Sequence, residues 1–116
     1  MSVSDKDAEI LRYIIRYCGR ITEVINRSGG DADAFVNDQD SIELVSFSLI
    51  QIGEYAKRLS QDFVEATKSD IQWHAIVSFR NLIAHNYEAI IYVRLWDTAC
   101  NDIPALEKYC KTCLSE

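Results

Sequence analysis

Residues 41–59 read SIELVSFSLIQIGEYAKRL. Ile42, Val45, Leu49, Ile52, Ala56 and Leu59 recur at alternating steps of three and four. That is a heptad seam, the pattern of a helix lying lengthwise against its neighbours at a shallow crossing angle. Leu44, Phe47 and Ile50 fall outside the seam, so the helix is expected to bury more than one face. Gly53 sits within it, where glycine costs about 1 kcal/mol relative to alanine. A close approach by another helix is expected to offset that cost. The stretch therefore specifies the inner helix of a bundle.

The flanking sequence supplies its companions. Ser4 followed by Asp7 is an N-cap signal with an acid in the first turn. Ile10, Leu11, Ile14, Ile15, Cys18, Ile21, Val24 and Ile25 then follow helical spacing. Ser28-Gly29-Gly30 ends that run, glycine accepting the left-handed backbone past a helix end. Residues 31–40 read as a loop holding four aspartates and Phe35, and the seam helix opens near Asp40-Ser41. A short segment, Gln61 to Thr67, leads to Ser69-Asp70, a candidate cap for a third helix over Ile71–Tyr87. A fourth runs from about Tyr92 to Cys113, interrupted or kinked near Asn101-Asp102-Ile103-Pro104. Strand-like alternation, repeats and low-complexity tracts are absent. The expectation is a single all-α domain over residues 1–116, an up-and-down four-helix bundle with a short extra helix.

Composition fits one such domain. The 116 residues are 48% hydrophobic and 26% charged, an ordinary globular balance rather than a disordered one. No apolar run approaches the roughly 18–20 residues of a membrane span, and Met1–Asp7 carries no apolar leader core, so a cytoplasmic chain with no membrane partner is expected. Cys18, Cys100, Cys110 and Cys113 then read as free thiols. Cys110-x-x-Cys113 has no second pair, half a zinc site at best, and no metal or cofactor is expected. The net charge of −6 argues against a general nucleic-acid coat. Its distribution is uneven. Residues 12–27 hold Arg12, Arg16, Arg20 and Arg27 against Glu23 alone, whereas residues 28–56 hold six acids and no Lys or Arg.

The third helix carries the chemistry. Among residues 71–87 only Arg80 bears a full charge, so this helix lacks the charged stripe of an outward-facing one. At 100° per residue Ala75, Ile76, Phe79, Leu82 and Ile83 gather on an expected core face. Opposite lie His74, Ser78, Asn81 and His85, flanked by Trp73, Val77, Arg80 and Ala84; this second face is expected to be covered by a subunit, a ligand or both. Arginine offers a planar fork matched to phosphate oxygens, and histidine moves protons near neutrality. The pair suits RNA cleavage by attack of the 2′-hydroxyl on its own phosphodiester, which needs proton transfer and anion stabilisation but no metal. On spacing alone, an Arg and a His on one helix more often form a hydrogen-bond network at an interface than an active site. Trp73 is a base-stacking candidate or a packed ring. His74 lies about 16 Å from His85 along the axis, too far for one catalytic pair.

Arg80-Asn81-x-x-x-His85-x-Tyr87 resembles the Arg-x4-His motif of HEPN-domain proteins, and among them the HepT-like ribonuclease toxins of HepT/MntA toxin–antitoxin systems. Ile52-Gly53-Glu54 with Lys57 and Leu59, Phe35 with Asp38, Trp73 with Ile76 and Phe79, and Asp102-Ile103-Pro104-Ala105-Leu106 resemble further elements of that family in order. The resemblance covers about residues 10–110. It implies a bundle that forms homodimers, or larger oligomers built from them, with two motif copies at one cleft. It implies metal-independent endoribonuclease activity on Arg80 and His85, with Asn81 in support. It also implies a minimal nucleotidyltransferase (MntA-like) antitoxin that silences the toxin by transferring AMP to the motif tyrosine, here Tyr87. Added phosphate there would set charge and bulk where RNA phosphate must bind. Two positions depart from the family pattern. Gln72 stands where a proline usually precedes the tryptophan, and Ile91 follows Ile90 where an aspartate often caps the last helix.

The alternative is a non-catalytic nucleotide- or partner-binding subunit of a nucleotidyltransferase pair, which would use the same residues. Arg12, Arg16 and Arg20, at i, i+4 and i+8, form one stripe on the first helix. With Trp73 and His74 they are candidates for RNA or partner contact, the stripe being either a border of the cleft, a docking face for the antitoxin, or a solvated face.

Overall fold

The first helix, α1, spans Asp5–Arg27. Ser4 Oγ accepts the Asp7 N–H at 3.1 Å, as an N-cap does. Its far end closes on Gly29 and Gly30, at φ 65° and 70°. Their N–H groups return to the carbonyls of Asn26 (3.0 Å) and Ile25 (3.1 Å), the paired bonds of a Schellman turn. The computed structural model describes residues 3–85 and 92–115, and among these there is no strand.

Residues 31–40 are not all loop. Ala32–Val36 forms a one-turn helix, α2, because Asp31 Oδ1 accepts the Asp33 N–H at 3.0 Å and Phe35 is wholly buried. Buried Phe35 lies 5.2 Å from the Trp96 ring and anchors the turn on the core. The seam helix, α3, spans Gln39–Ala56 with Asp38 at its N-cap, a little earlier than Asp40-Ser41. All six seam residues, including Leu59 just beyond the helix, are buried. The short helix α4, Gln61–Thr67, is capped by Ser60.

One buried carboxylate fixes how these pieces meet. Asp7, 3% exposed, accepts from both the N–H (2.9 Å) and the hydroxyl (2.6 Å) of Ser60. Ser60 Oγ in turn accepts the Phe63 N–H that starts α4. The start of α1 is thus tied to the end of α3, while Tyr17 meets Phe47 farther along both helices. The two therefore run antiparallel. Asp7 was legible as a first-turn acid; its partner was not.

Helix α5 spans Trp73–His85, α6 Tyr92–Asp97 and α7 Ile103–Leu114. Asp70 does not cap α5. Its carboxylate accepts the Tyr109 hydroxyl (2.9 Å), and the first bonds of α5 run from the Ala75 and Ile76 N–H groups to the carbonyl of Gln72. The interruption expected near Pro104 is a π-helical turn over Thr98–Asp102, with the Ile103 N–H reaching back to the Thr98 carbonyl. A widened turn absorbs the missing proline donor without breaking the rod. Helix α3 packs on both α1 and α5, and α7 packs on α1. Between α5 and α7 the bundle stays open as a groove of about 500 Å³, floored by Leu49, Ile52, Ile76 and Phe79.

Candidate functional site

Helix α5 presents the expected core face except at Ala75, with Trp73 added to it. Trp73 and Ile83 are its buried residues; Ile76, Phe79 and Leu82 are half-buried, and Ala75 is exposed at the groove. The inward line is Trp73, Ile76, Arg80 and Ile83. Gly53 sets this rotation. A Cβ built on Gly53 would stand 2.2 Å from Arg80 Cβ and 2.6 Å from Arg80 Cγ. The stem of Arg80 therefore occupies the space that a side chain at position 53 would take, which is the close approach expected from its place in the seam.

The guanidinium emerges from that contact already held. Arg80 Nε lies 2.7 Å from Glu54 Oε1, in a pair whose side chains are 20% and 33% exposed. Both atoms are buried and the pair lacks hydrogen-bond alignment, so it is a charge contact rather than a linear bond. Arg80 Nη1 donates to Asn81 Oδ1 at 2.9 Å. One edge of the fork is engaged by Glu54 and one nitrogen by Asn81, which fixes the plane of the group for an anion arriving from solvent. Glu54 was quoted above for its motif, with no role attached. The usable signal was its place beside Gly53, where an acid adjoins the only residue small enough to admit Arg80.

His74, Ser78, Asn81 and His85 are all exposed, as a stripe along α5. His85 is the last described residue of α5. Trp73 is corrected from a base-stacking candidate to a core residue. It is 3% exposed, packs 6.0 Å from the Phe63 ring, and its indole N–H donates to Thr67 Oγ1 at 2.8 Å, so no ring face is left for a base. Tyr87 lies outside the described residues, as do Ile90 and Ile91, so the proposed acceptor and the second departure from the family pattern have no structural account. Arg12, Arg16 and Arg20 are exposed on α1, which packs on the same helix, α3, that carries Glu54.

The four cysteines are free. Cys18, Cys110 and Cys113 are buried; burial pushes the Cys18 thiol far above its ordinary range and Cys110 up to about 12. Among the described residues no three His, Cys, Asp or Glu side chains are arranged to hold a metal ion, and no helix is long and apolar enough to cross a membrane.

The family described as ribonuclease HepT-like matches residues 14–113 of this chain. A candidate RNase of Caldanaerobacter subterraneus subsp. tengcongensis is 31% identical over 91% of this chain and 92% of its own. A candidate RNase of Methanocaldococcus jannaschii is 29% identical over 72% of this chain and 84% of its own. No solved structure matches the chain.

Proposed function

The chain belongs to the HepT-like ribonuclease family and is an endoribonuclease; from that premise we propose that Arg80 and His85 carry its chemistry, as the toxin of a toxin–antitoxin pair. The observation that carries the assignment is the preset guanidinium of Arg80, held by Glu54 at 2.7 Å and Asn81 at 2.9 Å on the helix that also carries exposed His85.

The reaction these groups suit is transphosphorylation. The imidazole of His85 takes the proton of a ribose 2′-hydroxyl, whose oxygen bonds to the adjacent phosphorus. The bond from phosphorus to the 5′-oxygen breaks, and that oxygen takes up a proton. A 2′,3′-cyclic phosphate and a 5′-hydroxyl result. The Arg80 fork meets the non-bridging oxygens as charge builds on them. One side chain cannot be base and acid in the same step, and a homodimer with two Arg80/His85 sets at one cleft supplies both. Proton transfer of this kind contributes about 10²–10⁴-fold.

Cleavage of a labelled RNA in the presence of EDTA, with His85→Ala beside the unaltered chain, tests this. A loss of roughly 100-fold or more is expected; equal cleavage by both would remove His85 from the reaction and return the chain to the binding-subunit reading. Silencing falls to Tyr87 in this scheme, by AMP transfer from a minimal nucleotidyltransferase antitoxin. Intact mass after incubation with that enzyme and ATP should show added AMP, absent in Tyr87→Phe. An unchanged mass, or the same addition on the phenylalanine variant, would overturn that role.

A further inference from the structure

The tyrosines between α1 and α3 form a layered stack. Tyr13 and Tyr55 lie face to face, centroids 4.8 Å apart and 4° from parallel. Tyr17 continues the stack 6.2 Å from Tyr55 and meets the edge of Phe47 at 6.2 Å. Two guanidiniums lie on these rings, Arg16 5.0 Å over Tyr13 and Arg58 5.0 Å over Tyr55. Tyr55 already covers one face of Tyr13, so Arg16 takes the outer one. Phe47, 51% exposed, ends the row.

These cations are unspent. The chain carries 18 acids against 12 Lys and Arg. Yet among the described residues no carboxylate pairs with Arg12, Arg16, Arg20 or Arg58, whereas Arg80 is paired. The stripe is bounded on α1 by Glu9 and Glu23. Arg12 to Arg20 spans about 12 Å of helix. The row also leads somewhere. Tyr55 follows Glu54 directly, Arg58 is one turn beyond it, and Glu54 holds Arg80.

We propose that this face is a binding track for single-stranded RNA, in which Arg12, Arg16, Arg20 and Arg58, with Arg16 and Arg58 set over tyrosine rings, lead the strand to Arg80. A guanidinium held on a ring keeps its donors in a fixed plane and loses little freedom on meeting a phosphate. Its outer face is also a surface on which a base stacks. A protein partner would need acidic side chains to match the unpaired arginines; RNA brings a regular row of anions and flat bases together, which fits both halves of the stack.

The proposal rests on the ribonuclease reading, and its test is separable from cleavage. Binding of a fluorescein-labelled 12-nucleotide RNA to His85→Ala is measured by anisotropy across a salt series, alone and with Arg16→Gln/Arg58→Gln added. Each phosphate contact on a single strand contributes about 0.7 to the slope of log affinity against log salt. The double change should therefore flatten the slope by about 1.4 and weaken binding roughly tenfold at low salt, with Arg16→Lys alone losing the stack but keeping the charge and falling between. In the His85 background the added changes cannot act through catalysis. Unchanged affinity and slope would overturn the track and leave the catalytic assignment standing. Unchanged RNA binding with a shift in oligomeric mass would make this face a protein contact and equally overturn it. Lost binding with an unaltered chain that never cleaves would sustain the track and sink the catalytic assignment.

Discussion

Replacing Gly53 by alanine tests the contact on which the site is built. An alanine Cβ would stand 2.2 Å from Arg80 Cβ and 2.6 Å from its Cγ, with the carbonyl of Ile76 at 3.5 Å. Ordinary contact begins near 3.4 Å, so α3 and α5 must separate by about 1 Å. Rotation of Arg80 gives no relief, because its Cβ is fixed to the backbone. Overpacking of this kind costs typically 1–3 kcal/mol, and a backbone-bound neighbour puts the cost at the upper end. Alanine regains about 1 kcal/mol of helix propensity. The balance is a loss of about 2 kcal/mol, or about 8 °C in Tm for a chain of this size. The control is Gly19→Ala in α1, where an added Cβ meets nothing within 4 Å. There the propensity gain stands alone, and Tm should rise by a few degrees. Thermal unfolding followed by circular dichroism measures both. Separation also moves Arg80 away from Glu54, so RNA cleavage by Gly53→Ala should fall even at temperatures where the variant is folded. A Tm equal to or above that of the unaltered chain, with full cleavage, would refute the argument that an absent side chain at position 53 seats Arg80.

Three further outcomes follow from the same structure. Asp7→Ala leaves the Ser60 N–H and hydroxyl without their acceptor, and should cost about 1–3 kcal/mol in urea or thermal unfolding; an unchanged midpoint would mean the α1–α3 tie is not stabilising. Ser48 is fully buried and its hydroxyl has no hydrogen-bond partner, so Ser48→Ala should leave stability unchanged or raise it by up to about 1 kcal/mol, and a loss would show a bond that the structure does not contain. Cys18 and Cys110 stay protonated in the folded chain at pH values where the unfolded chain ionises them, because burial raises both. Their contribution is therefore whole below about pH 9 and declines as pH rises toward 12, at up to about 1.4 kcal/mol per pH unit for each thiol. Tm measured across that range should fall less steeply for Cys110→Ala, and native-state labelling by a thiol reagent at pH 8 should spare both residues.

The bundle was legible because its determinants are local. The seam of α3 and the apolar spacing of α1 are properties of each helix alone, and every seam residue is buried. The Gly29-Gly30 turn was readable for the same reason: the left-handed backbone it needs is a property of glycine. Where the reading slipped, a distant partner decided. Trp96, against which Phe35 is buried, helped turn part of a loop into α2, and Tyr109 drew the Asp70 carboxylate away from α5.

The site divides along the same line. Sequence by itself determined that a guanidinium, an amide and an imidazole, the groups proposed to carry the chemistry, stand at positions 80, 81 and 85 of one helix, since the order of the chain fixes them. It also determined that His74, Ser78, Asn81 and His85 share a stripe, because helical geometry sets relative azimuth. Only the tertiary structure decided the absolute rotation of α5. That rotation depends on which neighbouring helix has room, and the room is at Gly53, on another helix. It turned Trp73 into the core, left Ala75 at the groove, and gave Arg80 a carboxylate to lean on.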